Sequence, residues 1–416
     1  MFQFRRKIAN FECFSNKDMA NTNLGEAKNA KYDEFYTQYH DIEREVNAYL
    51  EYDPDVFRGK TILLPCDDPE WSNFTKYFAQ NFDRFGLKRL ISTSFAPESK
   101  KYKFGYEPTL FETLDPKYDE DKTKTNGKIF ILDKDRTGDG KIDVNDLEWD
   151  YLEGDGDFRS DEVKRLRDEA DFIITNPPFS LFRQFLAWIV EAEKKFLIIA
   201  NKNAITYKEV FPMIMENALW CGVSGFTKDI LFIPATAIEV DENRKTATKV
   251  VDGITYLRSP SIWMTNIDHG RRHQPLPLMS MADQIKFSRH SDVRGCDYQH
   301  YDNFDAIEVP YTDAIPGDYD GAMGVPISFL DKYCPEQFEI IGLSQLGCHP
   351  GLPDTKKYND YQEITRATDK PTGASGGKTN ENAVLKGKGD KKTYYLGPNG
   401  EVVYSEYKRM FIRKRQ

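Results

Sequence analysis

An apolar run that breaks off at two consecutive prolines, DFIITNPPFS at residues 171–180, dictates much of what this chain can become. Phe172-Ile173-Ile174 reads as a buried strand. Neither Pro177 nor Pro178 has an N–H to give a sheet ladder, so the strand must stop at Asn176. As a loop this is ordinary, because Asn before Pro initiates turns. As a site it is specific. Open α/β sheets bind ligands at the carboxyl ends of their strands, and this end carries an amide oxygen, rigid carbonyls and the aromatic face of Phe179.

Those groups suit a planar amine. An exocyclic amine on a base is a poor nucleophile, because its lone pair is delocalised into the ring. Two acceptors on its two protons, the Asn176 side-chain oxygen and a proline carbonyl, draw the nitrogen towards sp³ geometry and aim the lone pair at an electrophile. The aromatic offers a face on which an extruded base can stack. The pattern points to methyl transfer.

The surrounding sequence reads as a doubly wound, mostly parallel α/β sheet followed by a β-rich C-terminal region. Residues 1–30 show little periodicity and are expected to be poorly ordered. Tyr39, Ile42, Val46 and Leu50 recur at helical spacing behind FYTQ. Ile62-Leu63-Leu64 reads as a short strand, Pro65 to Pro69 as a loop, and Ser72 as the cap of a helix carrying Phe74, Tyr77, Phe78 and Phe82. A strand follows at Leu90-Ile91, then an apparent insertion over 97–150 containing the strand-like KIFIL. Beyond GDGDFRS at 154–160 the alternation resumes with a charged helix, the strand ending in NPPF, an apolar helix over 181–189, KFLIIAN, and a helix over 207–215. After Trp220 the rhythm becomes β, which places a domain boundary there, with 31–220 as the catalytic domain and 221–416 as a recognition region. Pro398-Asn399-Gly400 reads as the turn of a late hairpin.

No run approaches the eighteen or so apolar residues needed to span a bilayer. The six cysteines include no C-x-x-C pair, which argues against zinc or a disulfide framework. The chain therefore reads as a soluble, cytoplasmic, monomeric protein with no membrane partner. A net charge of −10 opposes general binding to nucleic acid. Acid is concentrated over 115–170, however, while KGKGDKK (386–392) and the terminal YKRMFIRKRQ are basic. Such a chain can dock a polyanion on one side only.

The order FYTQ, CDDPEWSNF, GDGDFRS, TNPPFSLF, FLIIAN, ITYKEVF, GVSGF, WMTN and MGVPISFL, over roughly residues 30–345, resembles the EcoRI modification methylase family. These are adenine-N6 DNA methyltransferases of the γ motif arrangement. The resemblance implies a Rossmann-like, S-adenosylmethionine-dependent enzyme with Asn176, Pro177, Pro178 and Phe179 as its catalytic motif. It puts Asp157 on the adenine amine of the cofactor and Phe158 against that ring. It has Tyr36 and Thr37 close over the methionine end, and Cys66, Asp67 and Pro69 line the pocket in place of the usual glycine-rich loop. Asp67 or Asp68 accepts from the cofactor's ammonium, while the other caps the next helix. The ribose partner stays open, since LISTSF carries no acid.

Two further features compete for a role. DRTGDGKIDVND (135–146) has the spacing of a twelve-residue calcium loop, with Asp135, Thr137, Asp139, Gly140 at the turn, Ile142, Asp143 and Asp146 in last place. Such a calcium ion would be structural; the alternative is an acidic turn. Trp263 in SIWMTN is either a second stacking surface for a flipped base or a core residue. The expected function is site-specific adenine-N6 methylation of double-stranded DNA, as an orphan or beside a cognate restriction endonuclease. The alternatives are methylation of RNA or of a protein glutamine, and a non-catalytic DNA-binding module on the same fold.

Overall fold

The computed structural model describes residues 35–67, 72–96, 113, 115–226, 230–234, 248–251, 254–345 and 350–415. The expected disorder of 1–30 and most of the first half of the 97–150 insertion lie outside them. The chain divides into two compact units, one built from the residues up to Lys202 with Cys221–Gly270, the other from Asn203–Trp220 with Arg271–Gln416.

In the first unit, strand β1 (Phe35–Thr37) leads into helix α1 (Tyr39–Tyr52), which buries Ile42, Glu45, Val46 and Tyr49 on one face. Strand β2 (Thr61–Leu64) is wholly buried. Helix α2 (Asn73–Gln80) is capped by Ser72, whose Oγ accepts from the Phe74 N–H. Strands β3 (Arg89–Thr93), β4 (Lys128–Leu132) and β5 (Glu148–Tyr151) follow, then helix α3 (Asp161–Glu169), strand β6 (Phe172–Thr175), helix α4 (Phe182–Glu191) and strand β7 (Lys195–Asn201). The remaining strands are β8 (Trp220–Cys221), β9 (Ile230–Pro234), β10 (Thr248–Val251), β11 (Ile254–Ser259) and β12 (Ser261–Thr265).

The main sheet has eight strands in the order β5-β4-β3-β2-β6-β7-β12-β8. Its centre, β3-β2-β6-β7, is parallel, while β4 and β12 join antiparallel on either side. The hydrophobic cluster under it includes Phe57, Phe74, Phe78 and Phe172.

Two boundaries differ from the sequence reading. Strands β9 to β12, taken as the start of a second domain, belong to the first unit. Strand β12 extends the main sheet with Trp263 opposite Ile199, and β9 pairs with β1, Thr37 opposite Phe232. Within the 97–150 insertion, KIFIL (β4) and the edge strand β5 are integral to the main sheet. The helix expected over 207–215 is confined to Phe211–Met215, since Pro212 fits only a first turn.

The second unit is β-rich. One sheet orders β13 (Ala306–Glu308), β14 (Ala322–Pro326), β21 (Arg409–Lys414) and β15 (Phe338–Leu343). The other orders β17 (Lys370–Ser375), β16 (Gln362–Thr365), β19 (Thr393–Leu396), β20 (Val402–Ser405) and β18 (Val384–Lys386). The hairpin expected around Pro398-Asn399-Gly400 forms between β19 and β20, with Tyr395 opposite Val403 and Gly400 at φ 86°. Among the described residues no helix is long and apolar enough to cross a membrane.

Candidate active site

From β2 the chain passes to β3 on one side and later returns to β6 on the other side of β2. Neighbouring connections thus leave in opposite directions, and this opens a crevice at the carboxyl ends of β2 and β6. The two sequence motifs Pro65-Cys66-Asp67 and Asn176-Pro177-Pro178 fall on either side of it.

Asp67 ties the crevice together. It is only 6% exposed. Its carboxylate accepts from the Ser72 hydroxyl at 2.7 Å and from the Thr175 hydroxyl at 2.6 Å. Its backbone carbonyl accepts from the Ser92 hydroxyl, which also shares a 2.9 Å bond with Thr75. Thr93 donates to the Pro65 carbonyl at 3.1 Å. LISTSF therefore carries no acid because its hydroxyls turn inward and brace the β2 loop. Cys66 is half-buried; Asp68 and Pro69 lie outside the described residues.

GDGDF crosses the end of β3. The Ala96 N–H donates to the Asp155 carbonyl, and the Gly127 N–H to that of Gly154. Gly156 sits at φ 82°, and a Cβ there would run into the Ser94 carbonyl. Only glycine allows that approach. The Asp157 carboxylate accepts from the Arg159 backbone N–H at 2.8 Å and from its guanidinium Nε at 2.9 Å. Arg159 holds this carboxyl below the usual carboxylate range. Phe158 is buried, its ring 5.1 Å from that of Phe185 and 5.7 Å from that of Trp188.

At the end of β6, Asn176 is half-buried, Pro177 buried, and Pro178 and Phe179 half-buried. The Pro178 carbonyl accepts from Leu181 N–H at 3.0 Å, which starts a single 3₁₀ turn. No backbone amide among the described residues donates to the Pro177 carbonyl, so the first proline presents a rigid acceptor beside Asn176. From FYTQ, the Thr37 carbonyl accepts from Asn73 Nδ2 at 2.8 Å. The Thr37 hydroxyl is buried and finds no partner among the described residues. Tyr36 pairs through its backbone with Ile233, while its side chain lies outside what is described.

Two alternatives left open by the sequence are decided here. Trp263 is 1% exposed and packs edge-on against Phe74 with ring centroids 5.8 Å apart. It is a core residue, with no open face for a base. The 135–146 segment does not gather a calcium site. No cluster of three or more His, Cys, Asp or Glu that could hold a metal exists among the described residues. The would-be ligands are spent on the loop's own backbone: Asp135 accepts from Gly138 and Gly140, Asp139 from Lys141, and Asp143 from Asn145. Asp146, in last place, accepts from the amides of Arg136, Thr137 and Asp143. The Thr137 hydroxyl donates to Asp135, at 3.3 Å. Aspartate in last place is a methylene shorter than the bidentate glutamate such loops use, and here it closes a capping box instead.

Sequence reasoning missed the hydroxyls of Thr175 and Ser92. The one available signal was a polar residue closing each of two apolar strands. A mixed α/β sheet with a parallel centre, carrying polar loops at the carboxyl ends of β2 and β6, is the frame on which many ligand-binding enzymes are built. The chain belongs to the family of the adenine-specific methyltransferase EcoRI, whose model matches residues 23–415. It is 41% identical over 334 residues to the Type II methyltransferase M.EcoRI of Escherichia coli, covering 78% of this chain and 90% of that protein. It is 30% identical over 336 residues to the Type II methyltransferase M.MpnI of Mycoplasma pneumoniae, covering 80% and 89% respectively. Identity to M.MgeORF184P of Mycoplasma genitalium is 31% over 348 residues, 82% of this chain and 91% of the relative. No solved structure matches at a significant level.

Proposed function

We propose that this chain transfers a methyl group from S-adenosylmethionine to the N6 amine of an adenine flipped out of duplex DNA. The observation that carries the reading is the meeting of Asn176-Pro177 with the Asp67 loop at one crevice, through the 2.6 Å bond between Thr175 and Asp67. Asn176 and the Pro177 carbonyl each take one proton of the adenine amine and orient its lone pair, and Phe179 faces the base. The cofactor supplies an activated methyl on its sulfonium. The orphaned Thr37 hydroxyl suits a polar ligand, since a buried hydroxyl without a partner is costly. Thr37, Cys66, Asp67 and Pro69 would hold the methionine end, and Asp157 with Phe158 the adenine end. Transfer is then mainly alignment plus two acceptors. The amine's surplus proton leaves to solvent.

The β-rich second unit serves as the DNA-recognition region, and the parallel central strands support a Rossmann-like classification. The chain acts in DNA modification in the cytoplasm, beside a cognate restriction endonuclease or as an orphan. The test is incubation with labelled S-adenosylmethionine and mixed-sequence duplex DNA, beside Asn176→Ala, followed by digestion to nucleosides. Label in N6-methyladenosine, lowered about 100-fold or more in the variant, is the expected result. Cofactor binding without label in DNA would redirect the search to RNA or protein glutamine.

A further inference from the structure

We propose that Thr175 is a positioning residue for the transfer, and that its hydroxyl bond to Asp67 sets the direction in which Asn176 presents its amide. The inference rests on the methyltransferase reading above.

Thr175 is the last residue of β6 and immediately precedes Asn176, so the direction of the amide depends on how that strand end is held. On one side β6 pairs with β7 along its whole length, up to Thr175 opposite Ile198. On the other side its pairing with β2 ends at Ile173, opposite Leu63. Past that point, the Thr175 hydroxyl ties the strand end to the β2 side, through Asp67 Oδ2 at 2.6 Å. A hydrogen bond to a carboxylate is shorter and about twice as strong as a neutral one.

Asp67, which receives this bond, is itself held by two further hydroxyls. Its other oxygen takes Ser72 Oγ, the cap of α2. Its main-chain carbonyl takes Ser92 at the end of β3. Thr175, Ser92, Ser72 and Asp67 are all buried, at 0%, 0%, 3% and 6% exposure, so solvent does not loosen the set. A fully buried strand position that follows Ile173 and Ile174 would hold valine equally well for packing alone. What threonine adds is the hydroxyl. Asp67 also lies on the cofactor side of the crevice in the proposed function. The bond therefore joins the wall of the cofactor pocket to the residue that precedes the base-binding amide.

The experiment compares Thr175→Val and Thr175→Ser with the unaltered full-length chain. It measures turnover on duplex DNA at saturating S-adenosylmethionine, cofactor affinity by calorimetry, and thermal melting. Valine keeps the shape and removes the donor; serine keeps the donor. The expected result is kcat lowered about 10- to 100-fold in the valine variant, the scale of a small misplacement of a reacting group. Cofactor affinity should hold, and the serine variant should recover most of the turnover. Unchanged kcat in the valine variant overturns the proposal. So does parallel loss of melting temperature, cofactor affinity and turnover in the valine variant, all restored together by serine, which would make the hydroxyl a fold contact only. An unaltered chain that binds cofactor yet leaves adenine unlabelled removes the methyltransferase reading itself, and the positioning role with it.

Discussion

Gly154 and Gly156 stand two residues apart in one loop, yet the structure makes different demands on them. Nothing lies within 4 Å of a Cβ built on Gly154, whereas Gly156 combines φ 82° with a collision against the Ser94 carbonyl. Gly156→Ala should therefore cost at least about 3 kcal/mol, because left-handed strain and a backbone clash add. It should also weaken S-adenosylmethionine binding, as the loop carries Asp157 and Phe158. Gly154→Ala should stay within about 0.5 kcal/mol of the parent. Thermal melts and cofactor calorimetry on the pair decide it; equal effects of the two would mean that the loop does not rest on the end of β3. At this scale the sequence was most informative where chemistry is local. Asn176-Pro177-Pro178 ends its strand for reasons internal to proline. The Thr175–Asp67 bond was invisible because it spans 108 positions, and a lone threonine closing an apolar run carries no partner's name. Trp263 was ambiguous for the same reason: only its neighbours settle whether a large ring is core or surface.

Among the elements, α1 shows how a helix read correctly by its period can hide its most consequential residue. Tyr39, Ile42, Val46 and Leu50 mark its apolar stripe, but Glu45 lies on the same face with no exposure at all. Its carboxylate accepts from Val223 N–H at 2.7 Å, from Ser224 N–H at 2.9 Å, from Ser224 Oγ at 2.6 Å and from Tyr49 OH at 3.1 Å. A Cβ on Gly222 would strike this carboxylate, which is why GVSGF opens with glycine. Burial pushes the Glu45 carboxyl above the ordinary glutamate value of 4.5, with the hydrogen bonds from Ser224, Val223 and Tyr49 pulling the other way. The folded chain thus keeps this proton to higher pH than the unfolded chain does. The resulting contribution to stability is full below pH 4.5 and is lost as pH rises through the raised folded value. Glu45→Gln should remove that pH dependence. It should also lower stability by about 1–3 kcal/mol, since an amide turns a donor toward groups that need an acceptor. Denaturant unfolding from pH 4 to 8 measures both effects; a glutamine variant as stable as the parent would show that the four donors do not depend on the charge.

For the molecule as a whole, the change to β rhythm after Trp220 was legible but its destination was not. Alternating apolar and polar residues identify a strand without saying which sheet receives it, and β12 completes the first unit while β16 to β20 build the second. The charge has the same character. A chain of net charge −10 repels DNA on average, so binding must rest on local cations whose own partners do not neutralise them. In the second unit Arg366 is paired with Asp390, Lys378 with Glu363, and Lys388 with Asp369. Lys370 and Lys392 are exposed, and no ion pair is found for either among the described residues. The register brings them to the same end of the five-stranded sheet, since Thr365 pairs with Lys370 on one side and with Thr393 on the other. If this unit holds DNA as proposed, these two lysines are candidate phosphate ligands at that end of the sheet. Replacing both by glutamine should flatten the plot of log K against log salt by about 0.9 for each phosphate no longer neutralised, about 2 in all. Affinity should fall similarly for every duplex sequence, because groups that bind phosphates position the protein without specifying the bases. S-adenosylmethionine affinity should not move. Titrations of the parent and the double variant from 50 to about 200 mM salt give the slope directly, and an unchanged slope would shift the phosphate footprint to another face of the protein.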